Sequence, residues 1–188
     1  EIPCVVVGAA GRMGQRLCSL VLEAPDLCLA GATESYQRNC IGKTLKESLS
    51  IPEQGVKITE RLEDIESDFD VIIDFSIPTV SMETVRFAHL RHKQAVIGTT
   101  GFSEEQIKEI KELSKSFPCV LAPNMSIGVN TLFKITEEVA RVLDQGFDVE
   151  IVEIHHRYKK DAPSGTALKI AEILAQAYKR DLSKVGVY

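Results

Sequence analysis

A glycine-rich turn between a short apolar run and a helix-like segment is the feature that most constrains the fold. Gly8, Gly11 and Gly14 follow the apolar residues 2–7, and they open a segment, 13–23, whose apolar residues have helical spacing. A second apolar run, 27–33, comes next. Strand, helix and strand in this order form a βαβ unit, which predicts a parallel sheet.

The chemistry of this turn suits a dinucleotide. Glycines allow a tight turn and close backbone approach, and the start of a helix offers amide N–H groups to a pyrophosphate. Glu34 lies 20 residues beyond Gly14, at the end of the second run, where its carboxylate can accept both ribose hydroxyls of the adenosine half. Arg12 can pair with a phosphate. The alternative to a dinucleotide site is a purely structural turn with a solvated Glu34. The alternative for Arg12 is an exposed side chain that binds no phosphate.

Charge near Glu34 bears on the choice between NADH and NADPH. A 2′-phosphate would be repelled by Glu34, and the residue that follows is Ser35, with Arg38 as the nearest cation in the sequence. We therefore predict NADH, NADPH or both as cofactor. Charge alone favours NADH, and NADPH is accommodated only if Arg38 turns toward the phosphate.

The rest of the chain continues the alternation and then changes. We predict strands at 57–59, 70–76, 95–99 and 119–122 and helices at 79–93 and 103–116, followed by a helix at 129–143, a strand at 148–156 and a helix at 165–180. The predicted fold class is α/β, with a Rossmann-like parallel-sheet domain over 1–126. An incomplete α+β substrate and oligomerisation domain follows over 127–188. One strand and two helices cannot close a sheet, so we expect only the first part of that domain here.

A second glycine-containing turn ends the strand predicted at 95–99. Gly98, Thr99 and Thr100 lie there, and loops at the carboxyl ends of strands bind ligands in open α/β sheets. Glycines and hydroxyls suit a nicotinamide ribose or carboxamide. The alternative is a plain turn that caps the next helix.

Paired histidines and a polar helix start indicate an anionic substrate. His155 and His156 end the strand predicted at 148–156, and Lys159 and Lys160 follow. Adjacent residues on a strand face opposite ways, so both rings can serve one ligand only where the strand ends. A buried structural histidine is the alternative. No third ligand of matching spacing accompanies the histidines, so we predict no metal site.

The residues that open the last predicted helix complete this second site. Ser164 can cap the helix, and the N–H groups of Gly165 and Thr166 can bind a carboxylate at the helix start. The alternative is an ordinary helix cap. With the two lysines, these groups favour a small substrate that carries more than one carboxylate.

Composition excludes several classes of partner. The net charge is −5 and no basic run occurs, which argues against nucleic acid. Apolar runs of four to six residues are too short to span a membrane. The five cysteines are scattered without a C-x-x-C pair, which favours reduced thiols and predicts a cytoplasmic protein.

Four motifs, in this order, resemble the 4-hydroxy-tetrahydrodipicolinate reductase (dihydrodipicolinate reductase) family. They are GAAGRMG at 8–14, GTTGF at 98–102, APNMSIGVN at 122–130 and EIHHRYKKDAPSGTA at 153–167. The resemblance implies that a nicotinamide cofactor gives a hydride to a cyclic dicarboxylate, forming tetrahydrodipicolinate in the diaminopimelate route of lysine biosynthesis.

The resemblance also implies roles for individual residues. His155 would be the general acid/base and Lys159 the proton donor. The substrate-binding residues would be His156, Ser164, Gly165 and Thr166. The cofactor-binding residues would be Gly8, Ala9, Ala10, Gly11, Arg12, Met13, Glu34, Gly98, Thr99, Thr100, Ala122, Pro123, Asn124 and Met125.

The sequence departs from the family pattern in three places. Met125 stands where the family often has an aromatic residue, and Ser35 stands where some members have arginine. Family members also continue for roughly another half-domain, which completes a mixed sheet that usually builds a homotetramer. We expect a homotetramer when the full second domain is present.

Two other functions remain open at this point. One is a different Rossmann dehydrogenase acting on an amino-acid precursor, such as an aspartate dehydrogenase, which would lack the paired histidines and the Ser-Gly-Thr helix start. The other is a dinucleotide-binding module without turnover.

Overall fold

Short runs rich in valine and isoleucine form a six-stranded sheet in the first half of the chain. The strands are β1 (Ile2–Val7), β2 (Leu27–Thr33), β3 (Ile58–Thr59), β4 (Val71–Asp74), β5 (Gln94–Ile97) and β6 (Cys119–Leu121). Their order is β3-β2-β1-β4-β5-β6 and every pair is parallel. The predicted parallel sheet is therefore confirmed. The structure is a computed structural model, and it describes residues 1–35, 39–52, 55–143, 146–157 and 162–187.

The described residues beside the sheet form the α-helices α1 (Arg12–Glu23), α2 (Leu45–Leu49), α3 (Pro78–Arg91) and α4 (Glu104–Leu113). Successive side chains of a strand point to opposite faces. In β1, Val5 and Val7 accordingly join the core cluster that includes residues of α3, while Cys4 and Val6 join the cluster that includes residues of α1. Both faces of the central strand are thus buried, which explains its unbroken apolar sequence.

The strand order reverses between β1 and β4. Open α/β sheets bind ligands beside the carboxyl ends of the strands at such a reversal. The turns after β1, β2 and β5 carry Gly8, Glu34 and Gly98. Three segments of the predicted cofactor site that are far apart in sequence therefore lie at the same end of the sheet, where the parallel strands have their carboxyl ends.

The chain divides into two units, Glu1–Ala122 and Pro123–Tyr188. The second contains α5 (Ile127–Leu143), α6 (Gly165–Ala177) and α7 (Leu182–Val185). Helices α5 and α6 contact each other, and small buried residues, Ala140 and Ala167 among them, belong to these helices. In the part of the chain that is described, no helix is long and apolar enough to cross a membrane.

The strand predicted over 148–156 is wrong for this chain. The described residues 146–157 form no strand, and Val152 and Ile154 are 85% and 91% exposed. A strand is stabilised by hydrogen bonds to a neighbouring strand, and the described residues of the second unit include none. The segment therefore has the alternating apolar residues of a strand, but the described residues of the second unit contain no neighbouring strand that could hydrogen-bond to it.

Candidate functional site

The turn after β1 is held against the end of β2 by backbone hydrogen bonds. The N–H groups of Gly8 and Ala9 both donate to the carbonyl of Thr33, each at 2.9 Å, and Gly11 N–H donates to Gly8 O at 3.0 Å. Gly8 has a φ of +74°, a conformation that costs glycine little. These backbone hydrogen bonds form the predicted tight turn.

Helix α1 begins directly against this turn. A Cβ on Gly14 would lie 2.0 Å from Gly8 O and 2.7 Å from Ala9 Cα, so only glycine fits there. Gly11 is the N-cap and supplies no side-chain hydrogen bond to the helix. The first-turn amides, including those of the exposed Arg12 and Met13, lie where a pyrophosphate can accept hydrogen bonds.

The carboxylate of Glu34 lies beside the same turn. Its Oε2 accepts a hydrogen bond from Ala10 N–H and its Oε1 accepts one from Ser35 N–H, both at 2.8 Å. Glu34 N–H in turn donates to Thr59 O at the end of β3, at 3.0 Å. These bonds fix the carboxylate of Glu34 beside the carboxyl ends of β1, β2 and β3. Ribose hydroxyls can still donate hydrogen bonds to its remaining lone pairs there.

A buried polar network joins the ends of β4 and β5 to α3. Asp74 Oδ1 accepts hydrogen bonds from Ser76 N–H at 2.9 Å and Ser76 Oγ at 2.6 Å. Ser81 Oγ donates to Thr99 Oγ1 at 2.7 Å, and Thr99 Oγ1 lies 3.4 Å from Asp74 Oδ1. The other oxygen, Asp74 Oδ2, is buried without a hydrogen-bond partner among the described residues. The polar residues Asp74 and Ser76 at the end of β4 are evident in the sequence. The contact of Ser81 with this network could not be predicted from it.

Gly98 and Thr100 occupy the loop after β5. A Cβ on Gly98 would lie 2.0–2.4 Å from three ring atoms of Phe75, so the ring is the physical reason for glycine at this position. Thr100 is exposed while Thr99 is buried. Thr99 therefore holds the loop through the buried network, and Thr100 is the hydroxyl that solvent or a ligand can reach.

The residues predicted at the start of the APNM motif fall on either side of the division between the units. Ala122 N–H donates to Ile97 O at 3.1 Å in the first unit. In the second, Asn124 Nδ2 lies 3.5 Å from Thr166 Oγ1, and the Asn124 carbonyl accepts from Asn130 Nδ2 at 3.1 Å. Asn124 and Thr166, 42 residues apart, are thus neighbours. Pro123 and Met125 are exposed.

Ser164 caps α6 as the sequence indicates. Its Oγ accepts a hydrogen bond from Ala167 N–H at 3.1 Å, and its own N–H donates to Glu153 Oε1 at 2.7 Å. A Cβ on Gly165 would meet no atom within 4 Å. The start of α6 is therefore capped by a buried serine and is open on the glycine side, where a carboxylate could approach the helix N-terminus.

His155 and Glu153 approach each other in the segment before α6. Glu153 Oε2 lies 3.4 Å from His155 Nδ1, and the two side chains are 28% and 40% exposed. His156 is exposed. Sequence reasoning assigned no role to Glu153, because nothing in its spacing shows that one carboxylate contacts both the histidine and the helix start.

Three predicted cations lie outside the described residues: Arg38, Lys159 and Lys160. Among the described residues, no group of three or more histidine, cysteine, aspartate or glutamate side chains is placed to hold a metal ion. The five cysteines are free thiols, and burial raises the pKa of Cys18 to about 12.

Two family models match consecutive parts of the chain. Residues 2–125 match the family described as dihydrodipicolinate reductase, N-terminus, and residues 128–187 match dihydrodipicolinate reductase, C-terminus. Together they account for nearly the whole chain.

Curated relatives carry the same name throughout. The 4-hydroxy-tetrahydrodipicolinate reductase of Desulfotalea psychrophila is 49% identical over 98% of this chain and 68% of its own. That of Syntrophobacter fumaroxidans is 45% identical over 100% of this chain and 70% of its own. The chain therefore spans about 70% of the length of the relatives it matches.

Solved structures agree with the sequence comparison. The dipicolinate-bound dihydrodipicolinate reductase from Paenisporosarcina sp. TG-14 superposes with a TM-score of 0.74 at 32% identity, over 95% of this chain and 67% of that one. A myo-inositol 2-dehydrogenase from Lactobacillus plantarum, 16% identical with a TM-score of 0.54, shares the fold alone. The resemblance drawn from the four motifs is confirmed, and the chain belongs to the dihydrodipicolinate reductase family.

Proposed function

We propose that this protein reduces 4-hydroxy-tetrahydrodipicolinate to tetrahydrodipicolinate with a nicotinamide nucleotide. The reaction is the one that names its curated relatives. The observation that carries the proposal is the arrangement before α6, where one carboxylate, Glu153, contacts both His155 and the amide of Ser164. These two contacts support the proposal, because they bring the histidine proposed for acid–base chemistry and the helix start proposed to bind an anion beside the same side chain.

The nucleotide would be held by the turn after β1 and by Glu34. The fit rests on the backbone contact that requires Gly14, on the start of α1 without a side-chain cap, and on the Glu34 carboxylate held beside the turn. When bound, the nucleotide supplies the hydride. The chain's own part is to bind the pyrophosphate at α1 and orient the adenosine ribose at Glu34, with Gly98, Thr99 and Thr100 toward the nicotinamide half.

The substrate would be a small dicarboxylate held at the start of α6. The dihydrodipicolinate reductase from Paenisporosarcina is bound to dipicolinate, a planar dicarboxylate. In this chain the open side of Gly165 and the N–H groups of Gly165 and Thr166 suit one carboxylate of such a ligand. His156 and Ser164 complete the proposed set, His156 as a donor to the ligand and Ser164 as the cap that holds the helix start.

The proton required by the reduced ring would come from Lys159, with His155 as the general acid/base. The 4-hydroxyl of the substrate leaves with a proton as water, which gives a conjugated C–N system. Addition of a hydride to that system leaves negative charge that a second proton must neutralise, so that the net reaction consumes one hydride and one proton and releases one water. A lysine ammonium three residues beyond the paired histidines is an acid of suitable reach. This assignment rests on the sequence and on the family resemblance.

We further propose that NADH binds at least as tightly as NADPH. The Glu34 carboxylate is fixed next to the turn by two backbone donors and would oppose a 2′-phosphate on the adenosine ribose. Ser35, which follows it, offers no charge to offset that repulsion.

The proposed assembly rests on the family resemblance and on exposed apolar residues, and the proposed compartment rests on the free thiols. A homotetramer is proposed from the family resemblance, and exposed apolar residues of the second unit such as Ile127 and Val152 are consistent with it. The free thiols fit a reducing compartment such as the cytoplasm.

A turnover assay separates this proposal from its rivals. The chain is incubated with NADH or NADPH and freshly generated substrate, and loss of the reduced nucleotide is followed, with and without dipicolinate. We expect turnover that dipicolinate inhibits in competition with the substrate. Activity on oxaloacetate and ammonia without activity on the ring substrate would favour an aspartate dehydrogenase. Nucleotide binding without any turnover would favour a binding module.

A further inference from the structure

We propose that Glu153 is a positioning residue that sets the tautomer of His155 and orients the start of α6 through the two oxygens of one carboxylate. The proposal rests on the proposed function, because it concerns how that site is prepared for a substrate. Glu153 would contact neither the substrate nor the cofactor and would act only through His155 and Ser164.

The first oxygen stabilises the helix start. Glu153 Oε1 accepts the hydrogen bond of Ser164 N–H at 2.7 Å, a length typical of bonds to a charged acceptor. Ser164 is only 5% exposed, so without this acceptor a nearly buried amide would lose its partner. Since Ser164 Oγ caps α6 through Ala167 N–H, the bond to Glu153 also holds the capping residue in place.

The second oxygen faces the histidine. Glu153 Oε2 lies 3.4 Å from His155 Nδ1, slightly beyond hydrogen-bond length and well within the range of charge interaction. A carboxylate at this position favours the tautomer with the proton on Nδ1, which leaves Nε2 as the basic nitrogen.

The two tasks are separable by substitution. In Glu153→Gln the amide oxygen can still accept from Ser164 N–H, because that donor requires an acceptor. The amide NH2 then faces His155 Nδ1 as a donor, which favours the opposite tautomer, with the proton on Nε2. Glu153→Ala removes both contacts. The glutamine variant should therefore affect His155 alone, and the alanine variant should affect His155 and the helix start together.

The experiment combines nitrogen NMR of the histidine rings with steady-state kinetics on the 188-residue chain. We expect E153Q to move the His155 proton from Nδ1 to Nε2, to lower kcat at least about tenfold, and to change KM for the ring substrate by less than about threefold. E153A should lower kcat to a similar extent and raise KM as well. Glu150→Gln, an exposed glutamate in the same segment, is the matched control and should change neither.

Each result decides the proposal. An unchanged His155 tautomer in E153Q would overturn it, as would a changed tautomer with an unaltered kcat. Loss of folding in E153A, seen by thermal unfolding, leaves E153Q to decide, since that variant keeps the acceptor for Ser164. If the wild-type chain shows no turnover, the proposed function fails. The tautomer in wild type and E153Q then decides on its own whether Glu153 orients His155.

Discussion

Ala10 donates its backbone N–H to Glu34 Oε2 at 2.8 Å across 24 residues of sequence. The bond ties the acidic residue at the end of β2 to the turn after β1. A carboxylate held in this way cannot swing away when a 2′-phosphate approaches without giving up a charge-assisted hydrogen bond. The carboxylate of Glu34 therefore has a fixed position in the proposed nucleotide site.

Cofactor preference follows from that bond. We expect calorimetry to give NADH a dissociation constant equal to or lower than that of NADPH. In Glu34→Ala the repulsion is removed, so the ratio of the two constants should shift toward NADPH. Tenfold tighter binding of NADPH to the wild-type chain, equivalent to about 1.4 kcal/mol, would contradict the prediction and direct attention to Arg38.

The proposed substrate-binding site at the start of α6 can be tested by a substitution that the fold should accommodate. Because a Cβ at Gly165 meets no atom within 4 Å, Gly165→Val should fold normally while it pushes a branched side chain toward the bound carboxylate. We expect KM for the substrate or the inhibition constant of dipicolinate to rise at least about tenfold, roughly 1.4 kcal/mol, with nucleotide binding unchanged. Gly146→Val, at another open glycine of the second unit, is the control. Normal dicarboxylate binding by Gly165→Val would mean that the start of α6 is only a helix cap.

The glycine turn should tolerate no added methyl group. In Gly14→Ala the new Cβ would lie 2.0 Å from Gly8 O, so the turn must move. We expect the free energy of unfolding to fall by about 1–3 kcal/mol and nucleotide affinity to drop with it. Gly128→Ala is the comparison, since its Cβ meets only Ser126 Oγ at 3.8 Å. Because Gly128 is the second residue of α5, that change should leave stability unchanged or raise it by at most about 1 kcal/mol. Chemical denaturation measures the free energy of unfolding of both variants. Equal effects of the two substitutions would contradict the conclusion that only glycine fits at position 14.

Proton donation is tested at Lys159. In the enzyme as proposed, Lys159→Ala should lower kcat by about 10²–10⁴ and leave NADH binding nearly unchanged, because the lysine acts on the ring and not on the nucleotide. Lys160→Ala removes the same charge one residue further on and should have a much smaller effect. An unaltered kcat in Lys159→Ala would reassign this lysine to surface charge.

The Cys18 thiol should resist alkylation in the folded protein. Burial raises its pKa to about 12, and only the thiolate is a good nucleophile. Because the folded pKa is raised, the neutral thiol contributes stability below the ordinary cysteine pKa, and that contribution is lost as pH rises from about 9 to about 12. Mass spectrometry after treatment with iodoacetamide near pH 8 should show Cys28, which is partly exposed, modified ahead of Cys18. Rapid native-state modification of Cys18 would contradict its burial.

Local sequence predicted the strands of the sheet in the first unit, but not α2 or the hydrogen bond between Ser81 and Thr99, and it was wrong for one segment of the second unit. The glycine turn, β1 and α1 were predicted because each short segment carries its own signal: apolar β-branched residues, then glycines, then helical spacing. Residues 148–156 carry an equally clear strand signal, yet a strand depends on a neighbour that local sequence does not describe. Glu153 was missed for a related reason, since its contacts to His155 and Ser164 arise only after the chain folds back.

The hydrogen-bonded group of Asp74, Ser76, Ser81 and Thr99 joins the end of β4, the first turn of α3 and the loop after β5. A network of this kind cannot lose one member at small cost, because each departing hydroxyl leaves a buried acceptor behind. Its parts are thus expected to open in a single cooperative event. In amide hydrogen exchange, Ser76 N–H, which donates to Asp74, should exchange at the same slow rate as the amides of the central strands, although it lies in a loop.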